Sequence, residues 1–109
     1  MEYITAQSGE RMLCLEKERV AEIQMKPEIW RVPGAPEEVL GIALYEQSLV
    51  IYYKFAKNSD AACGILVLND AGGIYGIAAD SAGEESLSTK QEETLIPTAA
   101  KGVWEKKND

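Results

Sequence analysis

Acidic side chains are the most frequent residues of this chain that could take part in chemistry, and some of them form the adjacent pairs Glu37–Glu38, Glu84–Glu85 and Glu92–Glu93. Two carboxylates can perform acid–base catalysis only when rigid elements oppose them and their environments separate their pKa values. Adjacent glutamates in polar segments usually face water, so we interpret these pairs as solvated surface. The 109 residues contain no histidine, which excludes Ser-His-Asp and Cys-His nucleophile arrangements and imidazole metal sites. The sequence therefore favours a binding module over an enzyme.

Cysteine and glycine are the other residue types that could signal a reactive or ligand-binding site. Cys14 and Cys63 match no C-x-x-C spacing and lie in apolar runs, so we predict that both are core residues. Gly72, Gly73 and Gly76 form neither a G-x-G-x-x-G nor a Walker pattern, so we assign them to a turn and a close backbone approach. We expect no catalytic residue, no metal and no cofactor.

The charge of the chain limits its partners. It carries 11 basic and 18 acidic residues, a net charge of −7 that is spread along the sequence. Nucleic acid is a poor partner for such a surface, because phosphate binding requires a basic footprint. No apolar stretch reaches membrane-spanning length and no signal-peptide pattern opens the chain, so we expect a cytoplasmic protein without direct membrane insertion.

Short apolar segments between polar turns predict a single small all-β domain over residues 1–109, with about seven strands. The strands and hairpins expected from this pattern lie at 3–15, 21–25, 49–55, 63–79 and 103–104. A proline at the start and a glycine at the end predict one short helical turn over 36–41. Composition predicts a turn or loop at 57–60.

Residues 81–100 are acidic and rich in small side chains. Their composition fits an ordered polar loop with a strand near Leu95, and it fits a mobile segment equally well. Both interpretations stay open at this point.

Four motifs in a fixed order resemble those of the CheW-like domain, the adaptor fold of bacterial chemotaxis arrays. They are Y-I-T-A-Q-S-G-E-R-M-L-C-L from Tyr3, V-A-E-I at 20–23, V-P-G-A-P-E-E-V-L-G at 32–41, and I-L-V-L followed by Y-G-I-A-A-D ending at Asp80. The family has F-x-x-F-x-x-G-x-x-x-Y-A-I, V-x-E-I, V-P-x-x-P-x-x-x-x-G and a hairpin ending in G-I-x-V-D-x-V at the corresponding places. The V-A-E-I and V-P-G-A-P motifs together are the more specific part of this likeness.

The chain departs from the family pattern at three places. L-Y-E-Q at 44–47 replaces N-L-R-G, so Glu46 stands where the family has an arginine and adds a like charge to Glu22. Lys54 stands where an aspartate is usual. The further strand and the leucine-rich terminal helix of the family are not found before Asp109.

The resemblance implies two interlocked, five-stranded, SH3-like β-barrels, the second one truncated, and an adaptor without catalytic activity. It implies two partners, the regulatory domain of a CheA-like histidine kinase and the cytoplasmic tip of a chemoreceptor. The residues that it assigns to partner binding surround a groove between the barrels: Val20, Glu22, Leu44, Glu46, Gln47 and Val50. An unpaired barrel edge would also favour a homodimer. The alternative is a degenerate CheW-like fold that serves as a homo-oligomeric structural or ligand-binding module outside chemotaxis.

Overall fold

The computed structural model describes residues 1–57 and 61–106 and is built almost entirely of strands. In chain order the elements are β1 (Glu2–Ser8), β2 (Arg11–Glu16), a short 3-10 helix (Lys17–Arg19), β3 (Val20–Met25), β4 (Val39–Tyr45), β5 (Ser48–Lys54), β6 (Cys63–Leu68), β7 (Ile74–Ala79), β8 (Ser81–Ser86), α1 (Thr89–Glu92), β9 (Ile96–Pro97) and β10 (Val103–Lys106). The prediction of an all-β domain is confirmed, as are the hairpins that became β1–β2 and β6–β7.

The chain forms two interlocked five-stranded sheets. The first sheet has the order β8-β1-β2-β10-β9, so both ends of the chain contribute to it, and the middle of the chain forms the second sheet in the order β3-β6-β7-β5-β4. All strand pairs are antiparallel except β5 with β7. Each sheet has five strands among the described residues, so neither lacks a strand of the expected five.

The main hydrophobic core lies between the two sheets. Leu13 and Leu15 of β2 pack there against Ile65 of β6 and Ile77 of β7, and we call this the shared core. The opposite face of β6 presents Leu66 to a second cluster inside the second sheet. Strands that are buried on both faces have continuous apolar sequences. This explains the run C-G-I-L-V-L.

Tyr52 fills the interior of the second sheet and is fully buried. A Cβ atom at Gly76 would lie 2.6 Å from Tyr52 Cε1, and one at Gly64 would meet the same ring. The predicted close backbone approach at Gly76 is therefore confirmed, and its cause is the tyrosine ring. Gly72, with φ 85°, occupies the β6–β7 turn, which is the other role predicted for this glycine cluster.

A backbone bridge joins the two edges of the second sheet. Trp30 N donates to Ile42 O at 2.8 Å, and Ile42 N donates to Trp30 O at 2.9 Å. Trp30 lies on the segment that leaves β3, and Ile42 lies on β4, the opposite edge strand. The sheet therefore curls into a barrel that this segment helps to close.

The helical turn predicted over 36–41 is wrong. Pro36 O accepts a hydrogen bond from Val39 N at 3.0 Å in a single turn, and β4 begins at Val39. A helix this short has too few hydrogen bonds to be stable alone, and pairing with β5 competes successfully with it. Gly41 also lies against the Trp30 carbonyl, so it is needed in the strand for a close approach rather than as a helix stop.

The segment 81–100 contains regular structure that composition did not reveal. Its first six residues form β8, which pairs with β1, and β9 follows at Ile96–Pro97, next to the strand expected near Leu95. Between them Ser88 caps α1 with a capping box that involves Gln91. A polar edge strand depends on its neighbour for its conformation, which is why composition alone did not indicate β8. Of the loop predicted at 57–60, residues 58–60 lie outside the described residues.

No helix in residues 1–57 and 61–106 is long and apolar enough to cross a membrane.

Candidate partner-binding surface

The β4–β5 hairpin exposes apolar side chains on its outer face. Ile42 lies opposite Ile51 and Leu44 lies opposite Leu49, whereas Ala43 and Val50 point inward to the Tyr52 cluster. Leu44 and Leu49 are 57% and 66% exposed. Side chains alternate between the two faces of a strand, so the hairpin is apolar both inside and outside.

Trp30 extends this apolar surface. It forms the bridge to Ile42, so the two side chains share the outer face, and Trp30 is 46% exposed. We call the surface formed by Trp30, Ile42, Leu44, Leu49 and Ile51 the apolar wall. Contiguous exposed apolar patches are uncommon on monomeric proteins and mark sites of interaction.

The two residues at the tip of the hairpin adopt an unusual backbone conformation. Glu46 and Gln47 have φ of 48° and 67°, and they connect the paired residues Tyr45 and Ser48. Positive φ at both central residues is typical of a type I′ turn, where asparagine and glycine are the usual residues. The tight turn holds the two polar side chains at the end of the apolar wall.

Glu22 and Glu46 both act on the Tyr45 hydroxyl. The pKa of Tyr45 is raised above 10.0, first by partial burial and then by the carboxylates of Glu22 and Glu46. Both carboxylates are therefore within electrostatic range of this hydroxyl, one from β3 and one from the hairpin tip. Glu46 lies at the hairpin tip, next to the apolar wall.

A hydrogen-bonded chain links Glu22 to the core. Tyr52 Oη donates to Gln24 Oε1 at 3.3 Å, and Gln24 Nε2 donates to Glu22 Oε2 at 3.1 Å. Burial and then the charges of Cys63 and Glu22 raise the pKa of Tyr52 to about 12, which keeps this phenol a donor at neutral pH. The position of Glu22 is thus coupled to the ring that fills the barrel.

The six residues predicted for partner binding do not all reach the surface. Leu44, Glu46 and Gln47 lie together at the hairpin tip, and Glu22 is exposed on β3. Val50 is only 2% exposed and belongs to the core around Tyr52, so the structure removes its side chain from the accessible surface. Val20 is half-buried and packs against the shared core.

Sequence reasoning missed four residues of the apolar wall, namely Trp30, Ile42, Leu49 and Ile51. The run L-V-I-Y-Y-K-F predicted a strand but did not show which of its apolar residues face outward, and β5 is buried on one face only. A second signal was present: the opposite strand, G-I-A-L-Y, also carries apolar residues at alternate positions.

The groups considered for catalysis do not assemble into a site. Glu84 and Glu85 form ion pairs with Lys17 and Lys106 respectively. No group of three or more His, Cys, Asp or Glu side chains in the described part of the chain could hold a metal ion. Cys14 and Cys63 are buried free thiols, as predicted, and burial is the main reason that the pKa of each is raised.

Comparisons with known proteins agree with this architecture. No protein-family model matches the sequence, and no curated protein does. The crystal structure of the scaffolding protein TtCheW from Thermoanaerobacter tengcongensis is similar to 90% of this chain and 70% of its own, with a TM-score of 0.69 and 17% sequence identity. The chain therefore has a CheW-like fold, as its motifs predicted.

Proposed function

We propose that this chain is a non-catalytic adaptor in a bacterial, chemotaxis-type signalling system, and that it acts in the cytoplasm. It couples the cytoplasmic tip of a chemoreceptor to the regulatory domain of a CheA-like histidine kinase by binding both. The observation that carries the proposal is the apolar wall, an uncovered surface on a fold shared with a scaffolding protein.

The apolar wall supplies the anatomy of a protein interface. Its centre is aliphatic and aromatic, with Leu44 and Trp30 as the candidate anchors, and the polar residues Glu46 and Gln47 lie at its end. We propose that Glu22 on β3 belongs to the same contact surface. Interfaces are most apolar at the centre and polar at the rim, and a few central residues supply most of the binding energy. Val20 contributes through packing beneath the surface, and Val50 supports the hairpin from inside.

Glu46 defines which partner the surface selects. A partner surface that suits the arginine of the family would meet a negative charge here, and like charges across an interface disfavour binding. We therefore expect the cognate partner to present a basic or neutral group opposite Glu46. Glu46→Arg should weaken binding to that partner and improve binding to a partner of an ordinary family member.

The test is a calorimetric titration of the chain with the receptor tip and with the kinase regulatory domain encoded in the same genome. Leu44→Glu places a charge in the centre of the apolar wall and should lower affinity by at least about tenfold. Leu68→Glu is the matched control, because Leu68 is also exposed, at 39%, but lies on β6 outside the wall. Absence of binding to both partners by the wild-type chain would contradict the proposal.

A second candidate function follows from the same surface. A second copy of this chain could cover the apolar wall, which would make the protein a homo-oligomeric module outside chemotaxis. Light scattering distinguishes the two: a wild-type dimer that Leu44→Glu converts to a monomer, together with no affinity for receptor or kinase, would favour this alternative.

A further inference from the structure

A cleft of about 690 Å³ lies between the two sheets and is separate from the apolar wall. The first sheet contributes Arg11 and the loop 98–101, and the second sheet contributes Tyr53, Lys54 and Tyr75. We call it the inter-sheet cleft. None of the six residues predicted for partner binding lines it. Its volume is in the range of small-molecule sites, which are concave and lined by apolar groups with a few polar ones.

The inter-sheet cleft is positively charged although the protein is acidic. Four basic and two acidic side chains line it, and Glu105 pairs with Arg11 from outside the lining, which leaves a surplus of one positive charge in a chain with a net charge of −7. Asp70 forms ion pairs with both Arg19 and Lys101, with a nitrogen–oxygen distance of 2.6 Å in each, so two cations share one carboxylate. A local surplus of positive charge attracts anions.

Lys54 is the cation of the cleft that has no ion-pair partner among residues 1–57 and 61–106. Arg11, in contrast, already has an ion-pair partner, Glu105. Its Nε and Nη2 donate to Glu105 Oε1 at 3.0 and 2.7 Å, and its guanidinium lies 5.5 Å from the centre of the Phe55 ring. Glu38 also lines the cleft, but no ion pair joins it to Lys54, so this half-buried lysine is available to a ligand with one negative charge.

Aromatic rings form the apolar side of the cleft. Tyr53 and Tyr75 pack edge to face with their centres 5.9 Å apart, and Phe55 lies at the same cleft. The Tyr75 hydroxyl is buried and has no hydrogen-bond partner in the described part of the chain. An unpaired buried hydroxyl is unfavourable, and a small shift of the Tyr75 ring towards a ligand oxygen in the cleft would give it an acceptor.

We propose that the inter-sheet cleft binds a small aromatic carboxylate, whose ring packs against Tyr53, Tyr75 and Phe55 and whose carboxylate pairs with Lys54. Such a ligand would contact both sheets at once. This site is independent of the proposed adaptor function, because no residue of the apolar wall lines the cleft.

The test uses three matched probes and an NMR titration of the isotope-labelled full chain. The probes are 2-naphthoate, which has ring and charge, 2-naphthamide, which has the ring alone, and acetate, which has the charge alone. Only 2-naphthoate should bind measurably and shift the amide signals of residues 53–55, 75 and 98–101. Equal affinity for 2-naphthoate and 2-naphthamide, or signal shifts confined to other regions, would overturn the proposal.

Two variants with one control identify the contacts. Lys54→Gln should weaken 2-naphthoate binding by about three- to tenfold, because it removes a charge-assisted hydrogen bond. Lys90→Gln, an equivalent charge change on α1 away from the cleft, should leave the affinity unchanged. Tyr75→Phe should weaken binding by about two- to threefold without loss of stability in the free protein, since only an unpaired hydroxyl is removed. Unchanged affinity in Lys54→Gln would also overturn the proposal.

Discussion

The outer faces of the two sheets differ sharply where they extend beyond the shared core. On the outer face of the first sheet, Glu85 of β8 lies opposite Tyr3 and forms an ion pair with Lys106. In the second sheet, the corresponding surface is the apolar wall. One outer face therefore suits water and ions, and the other suits another protein.

The difference concerns how well each outer face is protected from unwanted association. Polar and charged residues on an edge strand such as β8 discourage unwanted association. The five residues that form the apolar wall carry no charge, and Glu46 is next to them at the hairpin tip. A surface of this kind is retained when another molecule covers it, which is the physical basis of the proposed adaptor function.

The largest expected effect tests whether the two sheets, despite their different surfaces, fold as one unit. Leu13→Ala removes a fully buried side chain from the shared core and should lower the free energy of unfolding by about 2–5 kcal/mol.

Trp104 on β10 reports on the first sheet and Trp30 on the second, so Trp30→Phe and Trp104→Phe give two single-tryptophan proteins. Their urea transitions, followed by fluorescence, should coincide. Separate transitions would show that each sheet is stable alone.

A smaller effect is expected inside the second sheet, where Tyr52 leaves no room for a methyl group at position 76. Gly76→Ala should reduce the free energy of unfolding by about 1–3 kcal/mol, because the added Cβ atom overpacks the barrel. Gly83→Ala is the control in the first sheet, where the added atom would contact only the Thr5 hydroxyl, at 3.1 Å. Chemical denaturation measures both. Equal losses in the two variants would show that Tyr52 does not determine the packing of the barrel.

The smallest expected effect concerns the ion pairs of Asp70 across the junction between the sheets. Hydrogen bonds first from Lys101 and then from Arg19 lower the pKa of Asp70 from 3.8 to about 2. A pKa depressed by folding stabilises the protein above the unfolded-state value, and this stabilisation is lost as the pH falls from about 4 to 2.

Asp70→Asn should therefore be slightly less stable at neutral pH and lose less stability than the wild-type chain on acidification over that range. Urea midpoints at neutral and acidic pH measure the difference. Glu93→Gln is the control, because Glu93 is exposed and forms no ion pair among the described residues. The stability of this variant should depend on pH in the same way as that of the wild-type chain. Parallel curves for Asp70→Asn and the wild-type chain would contradict the role of Asp70.

Much of the fold was predictable because local signals and tertiary pairing agree. Gly9 at φ 61° turns the β1–β2 hairpin, and the N-D-A-G-G segment turns β6–β7, as composition indicated. Continuous apolar runs correctly predicted the strands β5 and β6. The helix at 36–41 failed because pairing of β4 with β5 and with Trp30 outweighs a helical propensity that spans barely one turn.

The candidate site was predictable only in part. The family motifs pointed to the β4–β5 hairpin, and Leu44, Glu46 and Gln47 are exposed there. Val50 could not be distinguished from Leu49 by residue type, because both are apolar and only the strand register determines which one points inward. The position of Trp30 depends on a long-range bridge, which no local pattern indicates.

The most direct test of the central claim maps the contact of a partner on the two outer faces in one experiment. The isotope-labelled chain is titrated with the regulatory domain of the kinase, and amide signals are followed by NMR. We expect perturbations at Trp30 and along residues 42–51, with none along β8. Perturbations along β8 alone, or none on either face at saturating concentration, would contradict the assignment of the apolar wall as the surface that this protein presents to its partner.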